Sequence, residues 1–508
     1  MKKINRCKVR MYRAGTGDCF LLKFYAGTRR KFTMLIDGGV WQGSKEYLTP
    51  FVENIKDATD GKIDLLVITH EHRDHVLMFD RCSEIFETFE IDQLWFGWTE
   101  DDGDPEVAAW KEKYGDKKKA LSFAADRMNQ LINDQSIRMS LAGNQAENEM
   151  YDAKVLFSDV VNGFSELHAA GFDGQKIYKG GLKGMEVVKK LKVNKVRYCR
   201  QGEIIKDIKN MEGVKFYVLG PPNMYQQVKK EHGKEGESYD HNKDLEVNDL
   251  FSLSVLKDEL EPLKDDILPF DREFVIENDQ MGKECFSVSN SQIRYEDPMK
   301  EWRRIDHDWL YSSGNLALRM NSLTNNLSLA LAIEFEESKK VMLFPGDAEF
   351  GSWESWHKIK WHQGELKTED LLNQTVFYKV AHHLSHNGTA ASLGLEMMNH
   401  SDLVAMATLD FTNISNGWKS TMPNRKIVKE LLKRTKGRLI LLNDEEVYSD
   451  FEERELISTV IEKEKARMND AEKYEFDRDF DIPKSIKVKT KGQIIEKPLY
   501  YEYAVDGR

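Results

Sequence analysis

The chain has 508 residues, of which 40% are hydrophobic and 10% aromatic, and this excludes wholesale disorder because a sizeable core can be buried. A mean hydropathy of -0.58, with no uninterrupted apolar run of about 18 residues, excludes a membrane span. The net charge of -12 does not exclude an anionic substrate, because residues 231–280 alone hold 16 acidic and 5 basic residues.

The N-terminus and the cysteines are typical of a cytoplasmic protein. The first six residues are basic, but charged residues continue where an apolar signal segment would begin, so no signal peptide is expected. The five cysteines are scattered and never in CxxC spacing, which argues against a disulfide framework and against a structural zinc module. We therefore expect a cytoplasmic location without a membrane partner.

The first hundred residues alternate between short apolar strands and turns. Strands are predicted at residues 7–12, 19–24, 32–36 and 63–68, where apolar side chains alternate or run together. Residues 47–55 have the spacing of a helix. The strand at 63–68 is the most apolar of these and leads directly into a histidine-rich segment.

Beyond residue 100 the pattern changes, and these changes divide the chain. Long charged helical segments come first, then an apolar strand, an acidic weakly patterned stretch, and a return to regular strands. The predicted parts are 1–99 and 312–450 as the two halves of one domain, 100–201 as a helical and basic insertion, 202–222 as a return strand of the core, 223–311 as an acidic insertion, and 451–508 as a C-terminal extension.

The segment after the strand at 63–68 brings four potential metal ligands together. His70, His72, Asp74 and His75 fall within six residues, although the chain has only 13 histidines in all. Imidazoles and carboxylates suit zinc, manganese or iron. Because alternate residues face different sides, His70 and His72 are suited to one ion and Asp74 and His75 to a second, about 3.5–4 Å away as in two-metal sites.

Two further strand ends supply candidate ligands. Asp347 follows an apolar strand and is suited to bridge two ions, although an aspartate after Gly346 also suits a plain turn. The pair His382-His383 follows another apolar strand, and a pair favours metal binding over a structural role. Asp18 and Asp37 lie at turns near the same predicted edge; a turn role is favoured there over orientation of a ligand.

These motifs resemble the metallo-β-lactamase superfamily, and more closely the hydrolase domain of competence (ComEC-like) DNA-internalisation proteins and their free-standing soluble bacterial relatives. The resemblance covers roughly residues 7–99, 202–222 and 312–445, a little under half of the chain. The matching elements are Gly15-Thr16-Gly17-Asp18, Asp37-Gly38-Gly39, His70-x-His72-x-Asp74-His75, Pro221-Pro222, Asn325-Asn326, Gly346-Asp347-Ala348-Glu349 and Lys379-Val380-Ala381-His382-His383.

The resemblance implies an α/β (α+β) fold, an αββα sandwich with two divalent metal ions at one edge and with the helical and acidic insertions outside it. Zinc is expected, with manganese as the alternative. The implied metal ligands are His70 and His72 for one ion, Asp74, His75 and His382 for the other, and Asp347 between them. Many relatives supply a third histidine to the first ion; the matching region here offers Asn325 or Asn326, and Asn326 is included among the candidate ligands.

His382 is preferred over His383 as a ligand because it lies nearer the end of the predicted strand. Successive side chains of an extended segment alternate, so its neighbour should point to the other side. His383 is then expected to contact the substrate or to transfer a proton.

The implied function is hydrolysis by a hydroxide that bridges the two ions, with Asp74, Asp347 and His383 as catalytic residues. A phosphodiester is the expected substrate, as in a nuclease or a cyclic-nucleotide phosphodiesterase, so nucleic acid is a candidate partner and another small molecule stays open. One alternative is hydrolysis of a carboxylic ester, lactone or lactam. Another is a non-catalytic binding module stabilised by a single metal ion.

Overall fold

The computed structural model describes the regularly patterned part of the chain. It covers residues 3–108, 111, 172–173, 176–177, 182–228, 321–361, 366–414, 422–436, 438–442, 466, 469–470, 473, 480–481, 485–490 and 493–508. Residues 112–171 of the predicted helical insertion and residues 229–311 of the predicted acidic insertion therefore lie outside the described residues.

The described residues form two mixed β-sheets flanked by helices, which confirms the predicted α+β class. The strands are β1 (Arg6–Tyr12), β2 (Phe20–Ala26), β3 (Arg29–Ile36), β4 (Lys62–Val67), β5 (Glu90–Gly97), β6 (Phe172–Asp173), β7 (Lys176–Ile177), β8 (Val193–Cys199), β9 (Ile204–Ile205), β10 (Val214–Val218), β11 (Leu331–Phe335), β12 (Val341–Phe344), β13 (Thr375–Lys379), β14 (Val404–Ala407), β15 (Leu439–Leu441), β16 (Phe480–Asp481), β17 (Ser485–Thr490), β18 (Gln493–Pro498) and β19 (Tyr500–Asp506). The α-helices with defined ends are α1 (Lys45–Thr59), α2 (Arg73–Arg81), α3 (Ser83–Phe86), α4 (Leu182–Lys190), α5 (Tyr225–Val228), α6 (Phe350–Trp356), α7 (Thr368–Asn373) and α8 (Arg425–Arg434).

The first sheet has the order β16-β19-β1-β2-β3-β4-β5-β8, and the second has the order β15-β14-β13-β12-β11-β10-β9. In each sheet one half is antiparallel and the other is parallel: β3, β4, β5 and β8 run parallel in the first, and β12 to β15 run parallel in the second. The pairs β6-β7 and β17-β18 form separate two-stranded sheets.

The two large sheets pack face to face through one apolar core. Phe20 of the first sheet meets Phe344 of the second with ring centroids 5.9 Å apart, and Trp95 meets Phe216 at 5.3 Å. Helices α1 and α2 cover the outer face of the first sheet, and α6, α7 and α8 cover the outer face of the second. The layers therefore run helix, sheet, sheet, helix. Trp353 and Trp356 of α6 are fully buried in the outer core, where they pack the helix onto the second sheet.

Two strands of the first sheet lie in segments that the sequence predicts to be outside the core domain. β8 falls within 100–201, yet it pairs with β5 as the edge of the first sheet. β19 falls within 451–508, yet it pairs with β1 along its whole length. Both pairings join segments far apart in sequence, a relation that local patterning does not reveal.

No helix within the described part of the chain combines the length and the apolar character needed to cross a bilayer.

Candidate metal centre

The histidine-rich segment lies where β4 ends and α2 begins. His72 occupies the capping position of α2, and Asp74 and His75 lie in its first turn. Glycines let the neighbouring loops approach this turn closely. A Cβ on Gly39 would lie 2.0 Å from the Asp74 carbonyl oxygen, and Gly17 combines a φ of +138° with a similar close approach. Only glycine fits both positions.

Four ligand atoms converge beside this turn. Asp74 and His75 lie in α2, which follows β4 of the first sheet, whereas Asp347 follows β12 and His383 follows β13 of the second. The Asp74 Oδ2 lies 3.0 Å from the His383 Nε2, and the Asp347 Oδ2 lies 3.1 Å from the His75 Nε2 and 3.2 Å from the His383 Nε2. All four atoms are within 4.8 Å of one another, and all four residues are buried.

This spacing fits one metal ion. Bonds of about 2.0–2.2 Å at tetrahedral angles separate neighbouring ligand atoms by roughly 3.3–3.6 Å. The observed contacts are slightly shorter, so a small outward movement of the side chains would admit the ion. The buried Asp74 Oδ1 has no hydrogen-bond partner among the described residues, so a further acceptor atom is present beside the same position.

Hydrogen bonds fix which nitrogen each of the two ligand histidines presents. The His75 Nδ1 lies 2.8 Å from Asp37 Oδ2, a carboxylate, so Nδ1–H donates and Nε2 is the nitrogen presented to the centre. The His383 Nδ1 lies 2.8 Å from the Thr408 hydroxyl, which itself donates to Asp18 Oδ1 at 2.6 Å. The hydroxyl oxygen must therefore accept from His383 Nδ1–H, which again leaves Nε2 as the ligand atom.

His70 and His72 form a second pair beside the first group. The His70 Nδ1 contacts the Thr69 hydroxyl at 3.1 Å, and that hydroxyl donates to Asp37 at 2.7 Å. Thr69 therefore accepts from His70 Nδ1–H, and the His70 Nε2 faces the His72 Nδ1 at 3.0 Å. Two ring nitrogens at this distance suit adjacent positions on one ion.

The centre carries an excess of buried negative charge. Asp18, Asp37, Asp74 and Asp347 are all buried here, and the buried permanent cation among them is Lys379. Burial alone would lower the pKa of Lys379, but Asp18 and Asp347 raise it above its ordinary value, so the ammonium stays charged.

The two ligand histidines respond to these carboxylates. Burial alone would lower the pKa of His383, but Asp347 and Asp74 raise it to about 9. Burial alone would also lower the pKa of His75, but Asp347 and Asp37 raise it well above its ordinary value. In contrast, burial lowers the pKa of His382 to about 4. The carboxylate group therefore attracts positive charge, as bound metal or as protons.

The structure reverses the predicted orientations of His382 and His383. β13 ends at Lys379, and His382 and His383 then adopt left-handed backbone angles, with φ values of 46° and 49°. The alternation of an extended strand therefore does not apply, and His383 joins Asp74 and Asp347. Left-handed angles in non-glycine residues are sparsely populated and concentrate at functional sites.

His382 is held in a separate polar group. Its Nδ1 lies 3.2 Å from Asn387 Oδ1 and 3.3 Å from Glu349 Oε1, and its Nε2 lies 3.3 Å from the Asn325 amide nitrogen. Asn325 also donates to Glu349 at 2.7 Å. This group lies next to the centre, because the His382 backbone N–H is 3.3 Å from Asp347 Oδ1.

The candidate ligand Asn326 has its side chain engaged in other hydrogen bonds. Its side-chain oxygen accepts from the backbone N–H groups of Glu349 and Ser352 and from the Ser352 hydroxyl, and its amide group donates to Val228. These bonds fix the start of α6 and leave the oxygen unavailable. The side-chain oxygen of its neighbour Asn325 is buried without a hydrogen-bond partner among the described residues.

Sequence reasoning missed the residues that hold the ligands. Asp18 and Asp37, for which a turn role was favoured, instead hydrogen-bond or pair with Thr408, Lys379 and His75. Each lies beside a glycine at a predicted turn, and this was the available signal. Nothing in the local pattern distinguishes Thr408, and Lys379 stands out only as the first residue of the motif that ends in His382-His383.

The fold and the centre together define an α+β protein with a buried histidine and carboxylate cluster at the shared edge of two sheets. The cluster has the donor types and spacing to hold metal ions. No protein-family model matches the chain, and no curated protein matches it significantly.

Proposed function

We propose that this chain is a metal-dependent hydrolase with an αββα sandwich of the metallo-β-lactamase type. The observation that carries the proposal is the convergence of Asp74, His75, Asp347 and His383, with all four ligand atoms within 4.8 Å. The four layers of the fold support it, since that sandwich also places its metal centre at one edge of two facing sheets.

One ion would be held by Asp74, His75, Asp347 and His383, and a second by His70 and His72. Divalent ions bound there would lower the pKa of a water molecule towards neutrality and polarise an oxygen of the substrate. The mixed donors suit zinc, with manganese as the alternative.

The chain's own contribution is to orient the ligands and to exclude bulk water. Asp37 and Thr408 accept the Nδ1–H groups of His75 and His383, so each Nε2 faces the centre before any ion arrives. Such partners raise ligand basicity and fix ring orientation. Because the ligands are buried, their electrostatic interactions with a substrate would be stronger than in water.

A phosphodiester is the substrate class that we favour. Its two non-bridging oxygens and its leaving oxygen suit a pair of ions, and the sequence motifs resemble those of phosphodiester-cleaving relatives. The basic residues between Lys189 and Arg200, around β8, do not argue for a long nucleic acid. Lys189 pairs with Asp102, Arg197 with Glu203, and Arg200 with Asp104, so these cations are neutralised within the chain. We therefore favour a short or cyclic phosphodiester.

The test is elemental analysis of the purified protein combined with a substrate screen. We expect two divalent ions per chain and turnover of bis(p-nitrophenyl) phosphate, of cyclic nucleotides, or of both. Turnover of a lactone or carboxylic ester alone would overturn the phosphodiester assignment and keep the hydrolase. A single tightly bound ion without turnover of any substrate would overturn the hydrolase and favour a binding module.

A further inference from the structure

Lys379, the last residue of β13, is a buried cation directly beneath the candidate metal centre. Its ammonium group lies 2.5 Å from Asp18 Oδ2, 3.0 Å from Asp347 Oδ1 and 2.8 Å from the Gly346 carbonyl oxygen. An ammonium has three N–H donors, so these three contacts use all of them. The side chain is 1% exposed, and its position is therefore fixed.

The first consequence concerns the two oxygens of Asp347. Oδ1 accepts from Lys379 and is approached by the backbone N–H of His382 at 3.3 Å. Oδ2 is the oxygen that faces His75 and His383, at 3.1 and 3.2 Å. The carboxylate torsion of an aspartate is broad and roughly two-fold, so without such an anchor the two oxygens would exchange roles.

The second consequence concerns His383. The Asp18 carboxylate that binds Lys379 through Oδ2 accepts the Thr408 hydroxyl through Oδ1, and Thr408 accepts His383 Nδ1–H. Lys379 is thus connected to two ligands by two routes, directly to Asp347 and through Asp18 and Thr408 to His383. These contacts connect the loop between β1 and β2, which contains Asp18, to the ends of β12, β13 and β14.

We propose that Lys379 is a positioning residue that makes Asp347 bind metal through one oxygen only and that orients His383 through Asp18 and Thr408. This inference rests on the proposed function, since it requires that ions occupy the centre. The alternative is that Lys379 only balances the buried negative charge of the neighbouring carboxylates. The two roles differ when Lys379 and Asp18 are removed together: charge is then balanced, but Asp347 Oδ1 is no longer held.

The experiment compares Co²⁺ binding by four proteins: the wild type, Lys379→Met, the double variant Lys379→Met with Asp18→Asn, and the control Lys23→Met. Co²⁺ absorption reports coordination number and geometry, and competition with a chromophoric chelator reports affinity. The control also loses a buried lysine with a carboxylate partner, because Lys23 lies 2.9 Å from Glu502 in the first sheet. The substitution Asp18→Asn leaves an amide oxygen that can still accept the Thr408 hydroxyl, so the double variant tests the anchoring of Asp347.

We expect Lys379→Met to bind Co²⁺ about 10–100-fold more weakly than the wild type, as for loss of other residues that orient ligands, and to show altered absorption bands. The double variant should keep both defects, and Lys23→Met should keep the wild-type spectrum. If Lys379→Met fails to fold, the charge-balanced double variant decides alone.

Wild-type affinity and spectrum in the double variant would overturn the inference, because charge balance would then suffice. Wild-type behaviour of Lys379→Met would overturn it as well. A wild-type protein that binds no Co²⁺, Zn²⁺ or Mn²⁺ would instead overturn the proposed function, so the two failures are distinguishable.

Discussion

Replacing either histidine of the pair at 382 and 383 by alanine separates their roles. His383→Ala removes one of four converging ligands, and it leaves Asp74 Oδ2 without a neighbour that is now 3.0 Å away. His382→Ala removes a side chain held by Asn325 and Asn387 outside that group. Both residues have left-handed backbone angles, with φ values of 46° and 49°. Any effect of alanine on the backbone should therefore be similar in the two variants.

The expected magnitude follows from the number of ligands. Protein zinc sites with four ligands bind with apparent free energies of about 10–16 kcal/mol, so an equal share is about 3 kcal/mol per ligand. That loss weakens binding by about 100-fold. His383→Ala should therefore lose zinc during dialysis against a weak chelator, whereas His382→Ala should keep a zinc content near that of the wild type.

Elemental analysis of the two variants and the wild type, purified in parallel, measures this directly. Circular dichroism spectra must first show that all three are folded. If His382→Ala loses the ion and His383→Ala retains it, His382 is the metal ligand, as its position near the predicted strand end indicates, and the assignment of His383 is refuted. Equal zinc contents in both variants would also contradict it.

Three further changes test separate parts of the structure. Asp37→Asn removes the charged acceptor of a ligand imidazole and should lower zinc affinity by about 10–100-fold in a chelator competition; unchanged affinity would show that this hydrogen bond is dispensable. Asp74→Ala should abolish phosphodiester turnover without changing the circular dichroism spectrum, and wild-type turnover with full metal content would refute the two-ion assignment. Burial alone would raise the pKa of Glu502, but the nearby cations Lys23, which has the largest effect, and Arg10 lower it to about 2. Glu502→Gln should therefore reduce the free energy of unfolding by on the order of 2–3 kcal/mol at pH 7, and by progressively less as the pH falls from about 4 towards 2; urea denaturation at several pH values measures the difference.

The parts of the centre that the sequence predicts are those encoded by short spacing. Four candidate ligands fall within six positions of the chain: His70, His72, Asp74 and His75. The apolar strand before them indicates that all four lie just beyond the end of one strand. Asp347 could be predicted because it also follows an apolar strand. Such signals depend on local periodicity and on the rule that parallel strands end at one edge of a sheet.

The choice between His382 and His383 could not be made this way. Alternation of side chains requires extended backbone up to the histidines, whereas the strand ends at Lys379 and the chain turns through left-handed angles. The contact that His383 makes from this turn is tertiary, since its Nε2 lies 3.0 Å from Asp74 Oδ2 of a distant segment. A sequence pattern contains no measure of such contacts.

The supporting residues were hidden for a related reason. Thr408 follows β14 and Asp18 precedes β2, and they meet only because the two sheets pack face to face. Thr408 has no distinguishing local pattern, and the glycine turn before Asp18 does not reveal which residues it meets. The same holds for β19, whose pairing with β1 joins the two ends of the described chain.

The charge of the centre leads to a last prediction. Asp347 and Asp74 raise the pKa of His383 from 6.5 to about 9 against the opposing effect of burial, so the metal-free protein holds a proton there at neutral pH. A group whose pKa is raised by folding stabilises the protein below its unfolded pKa, and that stability is lost as the pH rises through the folded value. Chelator-treated protein should therefore show a falling Tm between about pH 6.5 and pH 9. Metal-loaded protein should not, because the ion replaces the proton on the same nitrogen and neutralises the same carboxylates. Differential scanning calorimetry of both forms at matched ionic strength gives the comparison. A parallel decline in both forms would mean that a group other than His383 titrates in this pH range, and it would contradict the assignment of the effect to the centre.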